Sequence, residues 1–184
     1  MIELSSAELS RWVASYLWVL FRIASLLMTM PVLGTQLLPV RVRLYFALAL
    51  TLLIAPQVGE VPLLDALSLS TWIVIGEQIL IGAAMGFSLQ LLFQVHVLAG
   101  QIIAMQMGLG FASMNDPSTG ISVAVVAQVF TMLVTLLFLA MNGHLVVLEV
   151  LAESFTTLPI GDSLGRMDFQ ALVLRFSWVM AAAI

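Results

Sequence analysis

The chain has 184 residues, 62% of them hydrophobic and 9% charged, with a mean hydropathy of +1.15. A soluble domain is about 45–50% apolar and about 25% charged, so a water-exposed globule is excluded, and disorder with it. Six arginines without a lysine, ten acids and a net charge of −4 argue against nucleic-acid binding, which needs clustered positive charge; the lack of cysteine removes disulfides, thiolate metal sites and cysteine nucleophiles. An integral membrane protein remains.

The opening carries Glu3 and Glu8 where a secretory signal carries bases, and the apolar run over 12–33 exceeds a signal core, so the segment is expected to be retained. Arg22 interrupts this run. Met30-Pro31 predicts that the helix kinks or stops there, because proline lacks a donor and biases the preceding residue away from helix. Residues 34–43 read as a polar-basic connector ending in Arg41 and Arg43. A second apolar block covers 44–58, closed by Pro56 and Gly59; its 15 residues fall short of the roughly 20 a crossing takes. Arg41 and Arg43 place their connector on the cytoplasmic side, with Glu60 and Asp65 opposite.

The next two blocks are too long. No Asp, Glu, Arg or Lys occurs in the 38 residues between Glu77 and Asp116. A straight helix of that length would measure about 57 Å, against roughly 30 Å of hydrocarbon. Residues 117–148 are also uncharged. Either these blocks break at their glycines or protein covers much of their apolar surface. A polar connector from Glu149 to Asp168 follows, then an apolar run from Phe169 still continuing at Ile184, as expected of a chain stopping inside a helix. Residues 1–184 are thus expected to form a single all-helical region, truncated at its C-terminal end.

Small and polar residues recur every fourth position: Gln78, Gly82, Gly86, Gln90, Gln94 in one stripe and Gly100, Ala104, Gly108, Ala112 in another. Such spacing puts each set on one helix face, where backbones approach closely and amides bond across helices. The contacts are either internal or with other subunits. A break signal runs from Gln106 to Gly120 through Met107, Gly108, Gly110, Phe111, Met114, Asp116 and Pro117. At membrane depth such irregular backbone needs surrounding protein or a wet cavity; the plain alternative is a surface turn.

Among ionisable groups, Arg22, Glu77 and His144 are candidates for burial. Arg22 suits a packed interhelical face better than a transport role. Asn142-Gly143-His144 reads as a helix break with a hydrogen-bonded imidazole. Glu149 and Glu153 either share a proton or mark a solvated helix end. Enzyme readings fare badly: Ser113 has no GxSxG-like frame, Asp116 no aspartate partner, and His96 and His144 no nearby acids for a metal. No cofactor or metal is expected.

The run Ala99-Gly100-Gln101 through Gln106-Met107-Gly108-Leu109-Gly110-Phe111-Ala112, with Asp116-Pro117, Met141-Asn142-Gly143-His144 and Leu158-Pro159-Ile160-Gly161, resembles the FliR family of flagellar export-gate subunits. Arg22 and Pro31-Val32-Leu33-Gly34 look like that family's opening segment, so the resemblance covers essentially the whole chain. It implies an all-α, non-enzymatic membrane protein with long kinked apolar helices packed into a hetero-oligomeric helical gate with FliP and FliQ. FlhB and FlhA would lie nearby, in the flagellar basal body of the bacterial inner membrane, with unfolded exported proteins as cargo and lipid around the assembly. It further implies that Gln106–Gly120 is a pore plug; the four-residue spacing of Gly82, Gly86, Gln90, Gln94, Gly100 and Ala104 suits subunit packing in such a gate. Family members continue with further apolar helices and a basic C-terminal part. Two alternatives stand: the equivalent gate subunit of a virulence type III secretion system, and a self-contained secondary transporter, which would need paired midplane charges and two similar halves.

Overall fold

The computed structural model describes the backbone of residues 6–35, 38–59, 68–109, 113–115 and 122–161, with the side chains of 15–35, 38–59, 68–109 and 124–161. Helix α1 (Ser6–Thr29) ends immediately before Met30-Pro31, so the expected proline break is a stop. The chain then turns tightly. Leu33 N–H donates to Pro31 O at 2.9 Å and Gly34 N–H to Met30 O at 2.7 Å, with Val32 between them at φ 72°. A β-branched residue in the left-handed region is strained, and these two bonds hold it there.

Helix α2 (Val40–Ile54) runs on into a 3-10 turn at Ala55–Gln57. This corrects the expected connector: Arg41 and Arg43 lie inside the helix. Pro39 starts it, its carbonyl accepting from Val42 N–H at 3.0 Å and Arg43 N–H at 3.3 Å, and arginine is itself a good helix former. The helical run Val40–Gln57 has 18 residues, three more than the block predicted. Arg43 reaches back to donate to Thr35 O at 2.9 Å.

Helix α3 (Leu69–Gln106) has 38 residues and no break. Ser68 caps it, its Oγ accepting from Thr71 N–H at 3.3 Å. Of the two accounts of this block, breakage at the glycines is overturned. A short antiparallel hairpin follows, β1 (Ser113–Asn115) and β2 (Ser122–Ala124), with Met114 opposite Val123. The last block does break. Helices α4 (Val125–Ala140) and α5 (Gly143–Thr157) meet at 66°. Asn142 sits between them at φ 58° and ψ 28°, a left-handed conformation that asparagine tolerates.

Helix α1 is the hub. Its Val19, Ile23, Leu26 and Leu27 are buried against Ala47, Leu50 and Ile54 of α2, Val74 of α3, and Leu151 and Phe155 of α5. The first half of α3 packs on α1 and its second half on α4, where Ala104, Ala124 and Ala127 form a small separate core. The all-helical class holds, with the hairpin as a minor addition. Among the described residues two helices are long and apolar enough to cross a membrane, or three spans if α4 and α5 count as one. Glu60, Asp65 and the run from Phe169 to Ile184 lie outside the described residues.

Candidate functional site

Buried polar groups of α1, α3 and α5 meet at Arg22. The side chain is fully buried on α1, where a charge costs about 2.5–3.5 kcal/mol on insertion scales. Its Nε donates to Gln78 Oε1 at 2.8 Å. Nη1 donates to Ser154 O at 2.8 Å and to Ser154 Oγ at 3.1 Å, and Nη2 to Leu158 O at 2.9 Å. The guanidinium carbon lies 4.3 Å from the centre of the Phe155 ring. Glu77, also buried, is its electrostatic partner. At the end of α5 Ser154 O already accepts from Leu158 N–H at 3.0 Å; the fork of donors on Arg22 adds a second bond to it and one to Leu158 O, with the favourable sign for the helix dipole. Arg22 therefore braces α1 to α3 and caps α5.

The small residues fit the same packing. A Cβ on Gly82 would collide with the Arg22 carbonyl and Ser25 Oγ, and one on Gly86 with Thr29 Oγ1 and the Leu26 carbonyl. A Cβ on Gly100 would stand 2.5 Å from Ala127 Cα, and Ala104 is buried beside it. The contacts these four make here are internal, with α1 and α4. Gly108 departs from its stripe: it lies past the end of α3, and a Cβ there would meet nothing within 4 Å. Gln90 is half-buried and Gln94 exposed.

The segment after α3 starts with a tight turn. Gly108 adopts φ 74°, its N–H donating to Met105 O at 3.1 Å, while Leu109 N–H donates to Ala104 O at 2.9 Å. This is how a left-handed glycine closes a helix end. Gln106 and Met107 are exposed, and Met114 occupies the middle of β1. Gly110, Phe111, Asp116, Pro117 and Gly120 lie outside the described residues. The irregular backbone expected through this stretch is in part a paired hairpin.

His144 is half-buried at the start of α5, and its Nδ1 has no hydrogen-bond partner among the described residues, contrary to the expectation of a bonded imidazole. Gly143 beside it leaves room for the Phe138 ring, which meets Phe93 edge-on at 5.5 Å. Glu149 and Glu153 are both exposed on α5. Among the described residues no group of three His, Cys, Asp or Glu could hold a metal. A cleft of about 630 Å³ between the end of α1, α3 and α4 escaped sequence reasoning. Its signal was available in Gln128, Thr131 and Thr135, which share one helix face within an uncharged apolar run.

The chain is 40% identical over 175 residues to flagellar biosynthetic protein FliR of Escherichia coli (strain K12), covering 94% of this chain and 66% of that protein. It is 38% identical over 162 residues to the protein of the same name from Pectobacterium carotovorum subsp. carotovorum, covering 87% and 61%. With that of Aquifex aeolicus (strain VF5) the identity is 35% over 142 residues, covering 77% and 55%. The chain thus spans about two thirds or less of the length of these relatives. The family described as bacterial export proteins, family 1, matches residues 13–184, and the chain belongs to that family.

Proposed function

We propose that this chain is a subunit of the flagellar type III protein export gate, forming with FliP and FliQ the pore through which unfolded flagellar proteins pass. FlhB and FlhA would adjoin the assembly, in the basal body at the bacterial inner membrane. The relatives' names favour the flagellar over the virulence version. The observation that carries the reading is α3. At 38 residues it is about 57 Å long and overshoots roughly 30 Å of hydrocarbon. Its exposed Leu92, Leu98, Ile102 and Ile103 extend over the far half of the helix. Apolar surface on this scale needs cover from other subunits where lipid ends.

Residues 106–120 would serve as the plug of that pore. Gly108 supplies a left-handed joint at the end of α3, so the segment leaves the helix axis abruptly. Met107, Phe111 and Met114 bring deformable apolar side chains that can close a narrow passage by excluding water. No catalysis enters this scheme. The test is removal of residues 110–121, bridged by a short glycine–serine linker, in cells that express the whole gate. Ion leakage across the membrane should rise while the complex still assembles on a native gel. Unchanged conductance in an assembled complex would overturn the plug role.

A further inference from the structure

The cleft between α1, α3 and α4 asks for a particular kind of ligand. At about 630 Å³ it has the size of a genuine binding site, and among the described residues no ionisable side chain lines it. Its polar groups are hydroxyls and amides. Each threonine hydroxyl has a single proton to give, and here every one is spent on the chain's own backbone. Thr131 donates to Ala127 O at 2.9 Å, Thr135 to Thr131 O at 2.7 Å, and Thr29 to Ser25 O at 2.9 Å. What these oxygens offer the cleft is lone pairs. Gln128 adds an acceptor: it is only 6% exposed, and its Oε1 has no hydrogen-bond partner among the described residues. The cleft thus sets neutral acceptors on α4 opposite the amide donors of Gln90 and Gln94 on α3.

A cation is a poor answer, because among the described residues no carboxylate lines the cleft to offset the loss of its water. A neighbouring helix is also poor, since its N–H groups are committed to its own ladder beyond the first turn. An extended peptide keeps its N–H and C=O groups free along both edges. Gln90 and Gln94, one helical turn apart on α3, are themselves amides and can give an N–H to the carbonyls of such a strand while the α4 oxygens accept its N–H groups. At the rim, Met28 and Met132 are more than half exposed, and thioether side chains repack around partners of varied sequence.

From this geometry we infer that the cleft holds extended polypeptide in transit, gripping it through its main chain rather than its side chains. The inference rests on the export reading above and names a grip site within it. The test uses the whole gate in membrane vesicles with a stalled export cargo. A photo-crosslinking side chain is placed at Met132 in one chain and at Met114 in another. Cargo adducts are expected at both positions. Gln128→Leu should lower the Met132 adduct about fivefold, the loss of one hydrogen bond, and leave the Met114 adduct and the gate yield unchanged. Adducts at Met132 to a gate subunit or lipid alone, with cargo still caught at Met114, would overturn the grip site and leave the export reading standing. Absence of cargo from both positions in an assembled gate would remove both.

Discussion

Two uncharged stretches, 78–115 and 117–148, take different courses although both are long and apolar. Helix α3 contains Gly76, Gly82, Gly86 and Gly100 and runs through all four without a break. The second stretch bends by 66° at Asn142, beside Gly143, the one glycine of α4 and α5. The number of glycines does not decide where an apolar helix breaks. Buried backbone must keep its hydrogen bonds, so an interior glycine keeps the ladder and its missing side chain becomes space for a neighbour. A break needs a residue that accepts the left-handed region and new partners for the freed groups. At Asn142 both are met: its N–H donates to Leu139 O at 3.0 Å, and its own carbonyl accepts from Leu145 N–H at 2.8 Å.

That contrast predicts the largest effect at Gly82. A leucine there would drive into the Arg22 carbonyl, which cannot move without disturbing the bonds that Arg22 makes to Gln78, Ser154 and Leu158. Gly82→Leu is expected to cost about 3 kcal/mol or more. It should appear as a loss of folded chain after extraction in mild detergent and a lower thermal midpoint. A normal midpoint would mean that α1 and α3 do not approach as closely as the missing side chain implies. Gly143→Ala should be milder. The new methyl meets the Phe138 ring, a side chain able to swing aside at the loss of its edge contact with Phe93. A destabilisation of about 1–2 kcal/mol is expected, read from the same thermal midpoint; an unchanged value would show that the ring does not pack across the break.

Local chemistry was legible in the sequence and distant partnership was not. Pro31 stops α1 because proline acts on its immediate neighbours, and the break at Asn142-Gly143 rests on a backbone preference carried by one residue. Arg22 could be read as a buried charge on an interhelical face, but its partners Gln78 and Ser154 stand 56 and 132 residues away. No periodicity links them. The charges of Arg41 and Arg43 suggest a connector because charge commonly marks a boundary, whereas Pro39 starts the helix ahead of both. The hairpin strands have three residues each, too few for an alternating pattern to show. The acceptor character of the cleft was hidden for another reason: a threonine is donor or acceptor according to where its proton points, and that is fixed only once the helix has formed.

The smallest expected effect is the sharpest test of the comparison, because its sign is opposite. Gly76 lies on the same helix as Gly82, six residues earlier, and a Cβ there would meet nothing within 4 Å. With no neighbour in the vacant space, only the backbone preference remains, which favours alanine by about 1 kcal/mol in a helix interior. Gly76→Ala should therefore raise the thermal midpoint by roughly 2–4 °C for a chain of this size. If it lowered the midpoint instead, the glycines of α3 would be acting through helix flexibility, and occupancy by a neighbour would no longer explain why Gly82 and Gly86 are needed where they are.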